Sequence, residues 1–265
     1  MGFFRKNKSD LESNSYLSKS SIQIRSMVIT AMLLALYIIF AAIGNLYFKM
    51  TFLASFLNLD ISLIFLIPLV FICRWQWWMF AAIAGGLANF IWAGVGGYIG
   101  AIYNVVLNVI TLSFVFLLKF LLFDKQNKKA INEDANNLVN NNQSERLKYW
   151  KIVAICIISF AYSILVNCVL NGIIFTPLYM NLYMPKSFVS VSFIEVEKIY
   201  NNTNNSDARA MLLYIPNYWT GIFALYSAFN GIKFSIVFLV LIPILIMLDK
   251  TNIVNRYFGK NTKLN

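Results

Sequence analysis

Apolar runs of membrane-spanning length recur along the chain, and the polar stretches between them are either tight turns or long asparagine-rich loops. A helix needs about 20 consecutive apolar residues to cross a hydrocarbon core. On that measure the pattern predicts six spans, at residues 26–47, 59–73, 77–93, 98–123, 150–176 and 219–248. The second is short, with Asp60 at its mouth and Pro68 inside, and the third is rich in glycine and alanine. The short alternating segments that mark a β-barrel do not occur in the sequence. The expected fold is an all-α integral membrane protein of six transmembrane helices. Spans two and three, joined by a turn at Arg74, also read as one re-entrant hairpin. Both readings leave the two termini on the same side.

Lysine and arginine set the expected orientation. Seventeen of the 22 Lys and Arg residues fall in the segments that share a side with the N-terminus. Four (Lys49, Lys186, Lys198 and Arg209) fall on the other side, and Lys233 lies within the last span. Basic residues accumulate on the cytoplasmic face of membrane proteins, so both termini are expected in the cytoplasm. The expected organisation is a cytoplasmic tail at 1–25, a membrane domain at 26–248 and a cytoplasmic tail at 249–265. Within the membrane domain, 124–149 reads as a polar cytoplasmic linker. The outer loop at 177–218 mixes aromatic and β-branched residues with the polar tract NNTNNSDAR. It reads either as a lid or hairpin over a cavity mouth or as a segment lying at headgroup depth.

Composition agrees with the membrane class: of 265 residues, 59% are hydrophobic and 12% charged, and the mean hydropathy is +0.66. The net charge of +11 follows from topology and can hold anionic lipid, so it does not call for nucleic acid. Cys73, Cys156 and Cys168 have neither zinc nor disulfide spacing, and the chain has no histidine. About 25 residues precede the first apolar run and no short apolar core with a small-residue cleavage site follows, so the first span is expected to be retained.

Within the apolar zone the residues to follow are Asn89, Asn104, Asn108, Asn167, Asn171, Asn230 and Lys233. Each asparagine in hydrocarbon needs a hydrogen-bond partner, and each charge needs a polar surrounding. Asn104 and Asn108 share a helical face, as do Asn167 and Asn171, and Asn230 with Lys233. Three helices therefore present polar faces inward. For the single asparagines the simpler reading is interhelical glue. For Asn230 with Lys233, in the outer half of the last span, the favoured reading is a cavity. Such a cavity suits a planar, polar, uncharged or anionic ligand, with Trp92, Tyr98 and Tyr103 as stacking candidates. Small residues four apart, Ala31 with Ala35 and Ala81 with Gly85, mark faces for close helix approach.

The sequence has no Walker motif, no Ser-Lys or Gly-x-Ser-x-Gly arrangement and no metal-ligand cluster. An enzyme is not expected, no cofactor is expected, and any ATP-driven task needs another subunit. A stand-alone permease would show internal repeats, and none is evident.

With these features the chain resembles the substrate-binding S components of energy-coupling factor (ECF) vitamin transporters. The resemblance extends over residues 26–247 apart from the two long loops. Ala31-x-x-x-Ala35 matches that family's surface for docking on the transmembrane coupling subunit. Within the family the chain looks most like the riboflavin carriers. FLNLDISLIFLIPLVF is similar to their aspartate-and-proline second span, NGIIFTPLY to the end of their fifth, and FNGIK to their Pro-Phe-Asn-x-x-Lys. Ala228 stands where that proline is usual, and CRWQWW replaces the usual Gly-Pro between spans two and three. The resemblance implies an S-component bundle, with ligand contacts at Asn171, Asn230 and Lys233, to which the residue reading adds Asp60, Asn104 and Asn108. It also implies high-affinity capture of a vitamin, riboflavin first, and docking through Ala31 and Ala35 on a coupling subunit driven by two ATPases. The alternatives are another vitamin or a nucleobase-like nutrient, or a membrane scaffold or assembly protein.

Overall fold

The computed structural model describes residues 19–48, 57–91, 97–124, 141–202 and 206–250. The expected terminal tails, apart from residues 19–25 and 249–250, lie outside these residues, as does Trp92. The helices in chain order are α1 (Lys19–Tyr47), α2 (Leu63–Ile72), α3 (Trp75–Ala88), α4 (Gly97–Lys119), α5 (Asn141–Leu170), α6 (Thr176–Tyr183), α7 (Phe193–Asn202), α8 (Ser206–Met211) and α9 (Tyr218–Lys250). One wide π-turn, Phe120–Asp124, follows α4, and a second, Asn171–Phe175, joins α5 to α6.

The described residues contain four helices long and apolar enough to cross a membrane: Ser20–Tyr47, Gly97–Leu122, Tyr149–Tyr183 and Tyr218–Lys250. The protein is therefore an all-helical, multi-pass membrane protein, but the six-span expectation, and the six-helix S-component bundle with it, is corrected to four. The expected second and third spans are α2 and α3, of 10 and 14 residues. At 1.5 Å per residue they reach about 15 and 21 Å, short of a hydrocarbon core of about 30 Å. Hydropathy misleads here because α2 is apolar for a different reason. Eight of its ten residues are buried, and α1, α3, α4 and α9 pack around it. A helix that is apolar all round is as well suited to a protein core as to lipid.

The long helices bury one face each. On α1 the buried positions are Ser26, Thr30, Tyr37, Ala41 and Gly44, while Met27, Met32, Leu36 and Ile39 are exposed toward the lipid zone. Ala81 and Gly85 of α3 are buried, as expected of a close-packing face. The main core gathers around Leu66, Leu69 and Val70 of α2, with Tyr37, Leu112, Phe234 and Val237. Lys119, at the end of α4, donates to Val70 O at 3.0 Å. A cation there complements the negative end of the α2 dipole.

A second core lies at the opposite end of the bundle, beneath the segment that follows α6. It joins Met180, Phe188, Val196, Tyr200, Leu212, Tyr218 and Leu225. The fifth expected span thus runs on to Tyr183, and the described part of the loop beyond it is a helical cap with no hairpin. α7 forms because Val196 and Tyr200, one turn apart, both face this core, while Glu195 lies in its first turn.

Candidate functional site

The site begins with a break in helical structure. Between α1 and α2 the segment Leu57–Ser62 is non-helical, yet Leu57, Asp60 and Ser62 are buried. Irregular backbone at membrane depth survives only inside protein or along a polar cavity. Leu59 N donates to Phe48 O at 2.8 Å. Gly44 admits the segment, since a methyl group there would lie 2.8 Å from Leu59 O. Asn58 Nδ2 donates to Asn45 Oδ1 at 3.2 Å, and Asn45 Nδ2 to Asn89 Oδ1 at 3.3 Å. This asparagine chain ties the segment to α1 and to the end of α3.

The result is the placement of Asp60. Expected at a mouth, it is only 8% exposed, and it interacts electrostatically with Tyr37 and with Lys233. Its Oδ1 accepts Ser62 N–H at 2.8 Å, so the carboxylate sits on the positive, N-terminal end of α2. Lys233 is 6% exposed and stands one residue before the centre of the 33-residue α9. Among the described residues no direct ion pair closes between Asp60 and Lys233. Asn230, one turn before Lys233, donates to Tyr226 O at 2.8 Å, while its buried Oδ1 has no hydrogen-bond partner. An amide oxygen left open in an apolar interior costs roughly 1–3 kcal/mol.

Asn108 of α4 donates to Tyr37 Oη at 2.9 Å and to Ala82 O at 3.4 Å. Asn104, one turn away on the same helix, is half-buried. On α5, Asn167 Nδ2 donates to Ser163 O at 2.6 Å, and at the start of the following π-turn Asn171 Nδ2 donates to Asn167 O at 2.8 Å and to Tyr103 Oη at 3.3 Å. Tyr103 Oη donates in turn to Asn167 Oδ1. The ring of Tyr103, a stacking candidate from the sequence, meets Phe175 edge-on at 4.8 Å. Tyr226 shares a 3.0 Å hydrogen bond with Thr176 Oγ1 and lies within electrostatic range of Tyr103 and Tyr179.

Two polar groups thus meet along α9. Asp60 links Lys233 to Tyr37, which accepts from Asn108, and Tyr226 bonds Thr176 and lies near Tyr103, the partner of Asn171; Asn230 lies between Tyr226 and Lys233 along α9. Tyr37, Ser62, Thr176 and Tyr226 carry no sequence signal of their own, since tyrosine and hydroxyl residues are common in membrane helices. Ala31 and Ala35 lie elsewhere, on the exposed face of α1. A shallow hollow lined by Gln76, Trp77 and Phe80 begins about 14 Å along α3 from Asn89, remote from this seam.

Fold and seam together define a multi-pass helical membrane protein with a buried polar interior. Two proteins of known sequence are similar to it along nearly their whole length. The uncharacterized protein MG350.1 homolog of Mycoplasma pneumoniae is 32% identical over 230 residues, covering 86% of this chain and 88% of the relative. The uncharacterized protein MG350.1 of Mycoplasma genitalium is 29% identical over 227 residues, covering 86% and 89%. The chain belongs to the family of the Mycoplasma pneumoniae protein. No family profile matches the chain, and no solved structure does.

Proposed function

We propose that the chain is a membrane-embedded substrate-binding subunit that captures a small planar, polar nutrient, with riboflavin the first vitamin to test. The observation that carries the reading is the buried Asn230–Lys233 face, where an amide oxygen has no partner and an ammonium faces Asp60 without closing an ion pair. A purely structural network tends toward full satisfaction of its buried polar groups. A binding site keeps acceptors and charges open for its ligand. Asn230, Lys233 and Asp60 would hold the ring system's polar edge, and Asn171 and Tyr103 the neighbouring end.

The sequence holds no ATP-binding motif, so uptake by this subunit requires a separate motor. The S-component resemblance supplies its class: a transmembrane coupling subunit with two ATPases, met through the exposed Ala31–Ala35 face. The distribution of lysine and arginine supports cytoplasmic termini, with the helical cap on the outer side where ligand arrives.

The test is titration of riboflavin into purified protein, read by quenching of its fluorescence. The reading expects saturable 1:1 quenching that Lys233→Met abolishes. Binding of a different vitamin or a nucleobase would keep the mechanism and replace the substrate. A scaffold or assembly role is the reading left if no small molecule binds, and the satisfied bonds of Asn108 and Asn167 are what favour it.

A further inference from the structure

The π-turn Asn171–Phe175 has a cause that can be read atom by atom. Thr176 N–H bonds Asn171 O, five residues back. That removes the usual donor for Gly172 O, and the next residue, Pro177, has no N–H to give. Gly172 O is instead satisfied by Tyr218 Oη at 2.7 Å. The extra residue in the turn changes what faces inward. At about 100° per residue, Thr176 would stand roughly 140° from Asn171 in a regular helix. The π-turn sets them on one face, where Asn171 meets Tyr103 and Thr176 meets Tyr226. Gly172 is required because a methyl group there would lie 2.5 Å from Trp219 Cζ3.

Tyr218 is also the point where the cap is fastened. Its backbone N–H donates to Asn201 Oδ1 at 2.8 Å, and its ring meets Tyr200 edge-on at 5.7 Å. Trp219 Nε1 donates to Glu197 Oε2 at 3.2 Å. Arg209 stacks on Tyr200 at 4.9 Å and donates to Asn201 O, Ile215 O and Pro216 O. This holds the turn in which Leu213 and Tyr214 both take a left-handed φ of 59°, a strained conformation for bulky residues.

We infer that Tyr218 is a positioning residue that latches the cap to the π-turn, so that seating of the cap and presentation of Asn171 in the polar seam are one event. The inference rests on the binding-subunit reading for its functional meaning, but not for its test. Cys168, three residues before Asn171, is 1% exposed with its sulfur 3.4 Å from Ser227 Oγ. Cys73 and Cys156 belong to the core at the far end and serve as internal controls.

In detergent-purified full-length protein, N-ethylmaleimide labelling of Cys168 is expected to quicken roughly tenfold in Tyr218→Phe, the population change that loss of one buried hydrogen bond brings. Labelling of Cys73 and Cys156 should not change. Asn201→Ala, which breaks the cap side and leaves the π-turn bond, should have the same effect. The double variant should exceed neither single one, because both act on one unit. Unchanged Cys168 labelling in the two single variants, or equal quickening at all three cysteines, would overturn the latch. If Tyr218→Phe does not yield folded protein, Asn201→Ala alone decides. A riboflavin titration of the same samples keeps the two claims apart: a wild type that binds nothing sinks the binding reading, while the labelling still judges the latch.

Discussion

Removing the charge of Lys233 should destabilise the protein through Asp60. Lys233→Met keeps the length and apolar stem of the side chain and deletes only the ammonium. Asp60 then faces the interior with Ser62 N–H and the α2 N-terminus as its remaining support. The two charges stand farther apart than the 4.0 Å of a direct ion pair, so at an effective dielectric constant of ~20 the lost attraction is at most about 4 kcal/mol. That upper bound falls inside the range for breaking a buried pair, about 3–5 kcal/mol. Asp60→Asn should cost a similar amount by leaving Lys233 uncompensated. In Asp60→Asn/Lys233→Met neither charge remains, so the loss should fall short of the summed single losses by roughly 1–4 kcal/mol. The assay is reversible unfolding in mixed micelles, titrated with a denaturing detergent and followed by tryptophan fluorescence and circular dichroism. Additive losses, with a coupling energy below about 0.5 kcal/mol, would refute the idea that these two residues sense one another.

Three further outcomes follow from other parts of the structure. Tyr37→Phe removes the hydroxyl that accepts from Asn108 and should lower stability by roughly 1–3 kcal/mol in the same unfolding assay, whereas a surface hydroxyl deletion would change little. Tyr200 in the cap is fully buried, and burial holds its phenol above the ordinary tyrosine value of 10.0 despite the nearby Arg209 charge. Its contribution is therefore complete below pH 10 and fades as pH rises toward the raised value, with a slope of at most about 1.4 kcal/mol per pH unit. Comparing alkaline unfolding of wild type and Tyr200→Phe should show the steeper fall in wild type. Ala31→Leu, on an exposed face of α1, should leave stability within about 0.5 kcal/mol while reducing co-purification with an ATPase-bearing complex, and unaltered recovery of such a complex would remove Ala31 from the docking surface.

The membrane class and the polar faces were legible in the sequence because both rest on local signals. Hydropathy over a window finds α1, α4, α5 and α9, and the spacings of Asn167 with Asn171 and of Asn230 with Lys233 put each pair on one face. What failed depended on packing. The apolar run from Leu63 to Ile72 looks the same whether lipid or protein surrounds it, so its hydropathy alone predicts a short span. Asp60 reads as a residue at a mouth because nothing local reveals that Gly44 and the Asn58–Asn45–Asn89 chain hold its loop in the protein interior. The π-turn was within reach of sequence reasoning, since Pro177 removes a donor from the apolar helix, but its partner Tyr218 lies 46 residues from Gly172. The ring of Tyr103 is visible in the sequence as a stacking candidate, whereas the link its hydroxyl makes between Asn167 and Asn171 is not.

If the seam between Asp60, Asn230 and Lys233 is a ligand site, native mass spectrometry of the detergent-solubilised protein, with riboflavin first and then a panel of vitamins and nucleobases, should reveal its occupant. One small molecule should be held 1:1 by the wild type and lost from Lys233→Met and Asn230→Leu, with both variants still folded. A folded wild-type protein that retains none of these compounds, or a bound compound that both variants hold unchanged, would contradict it.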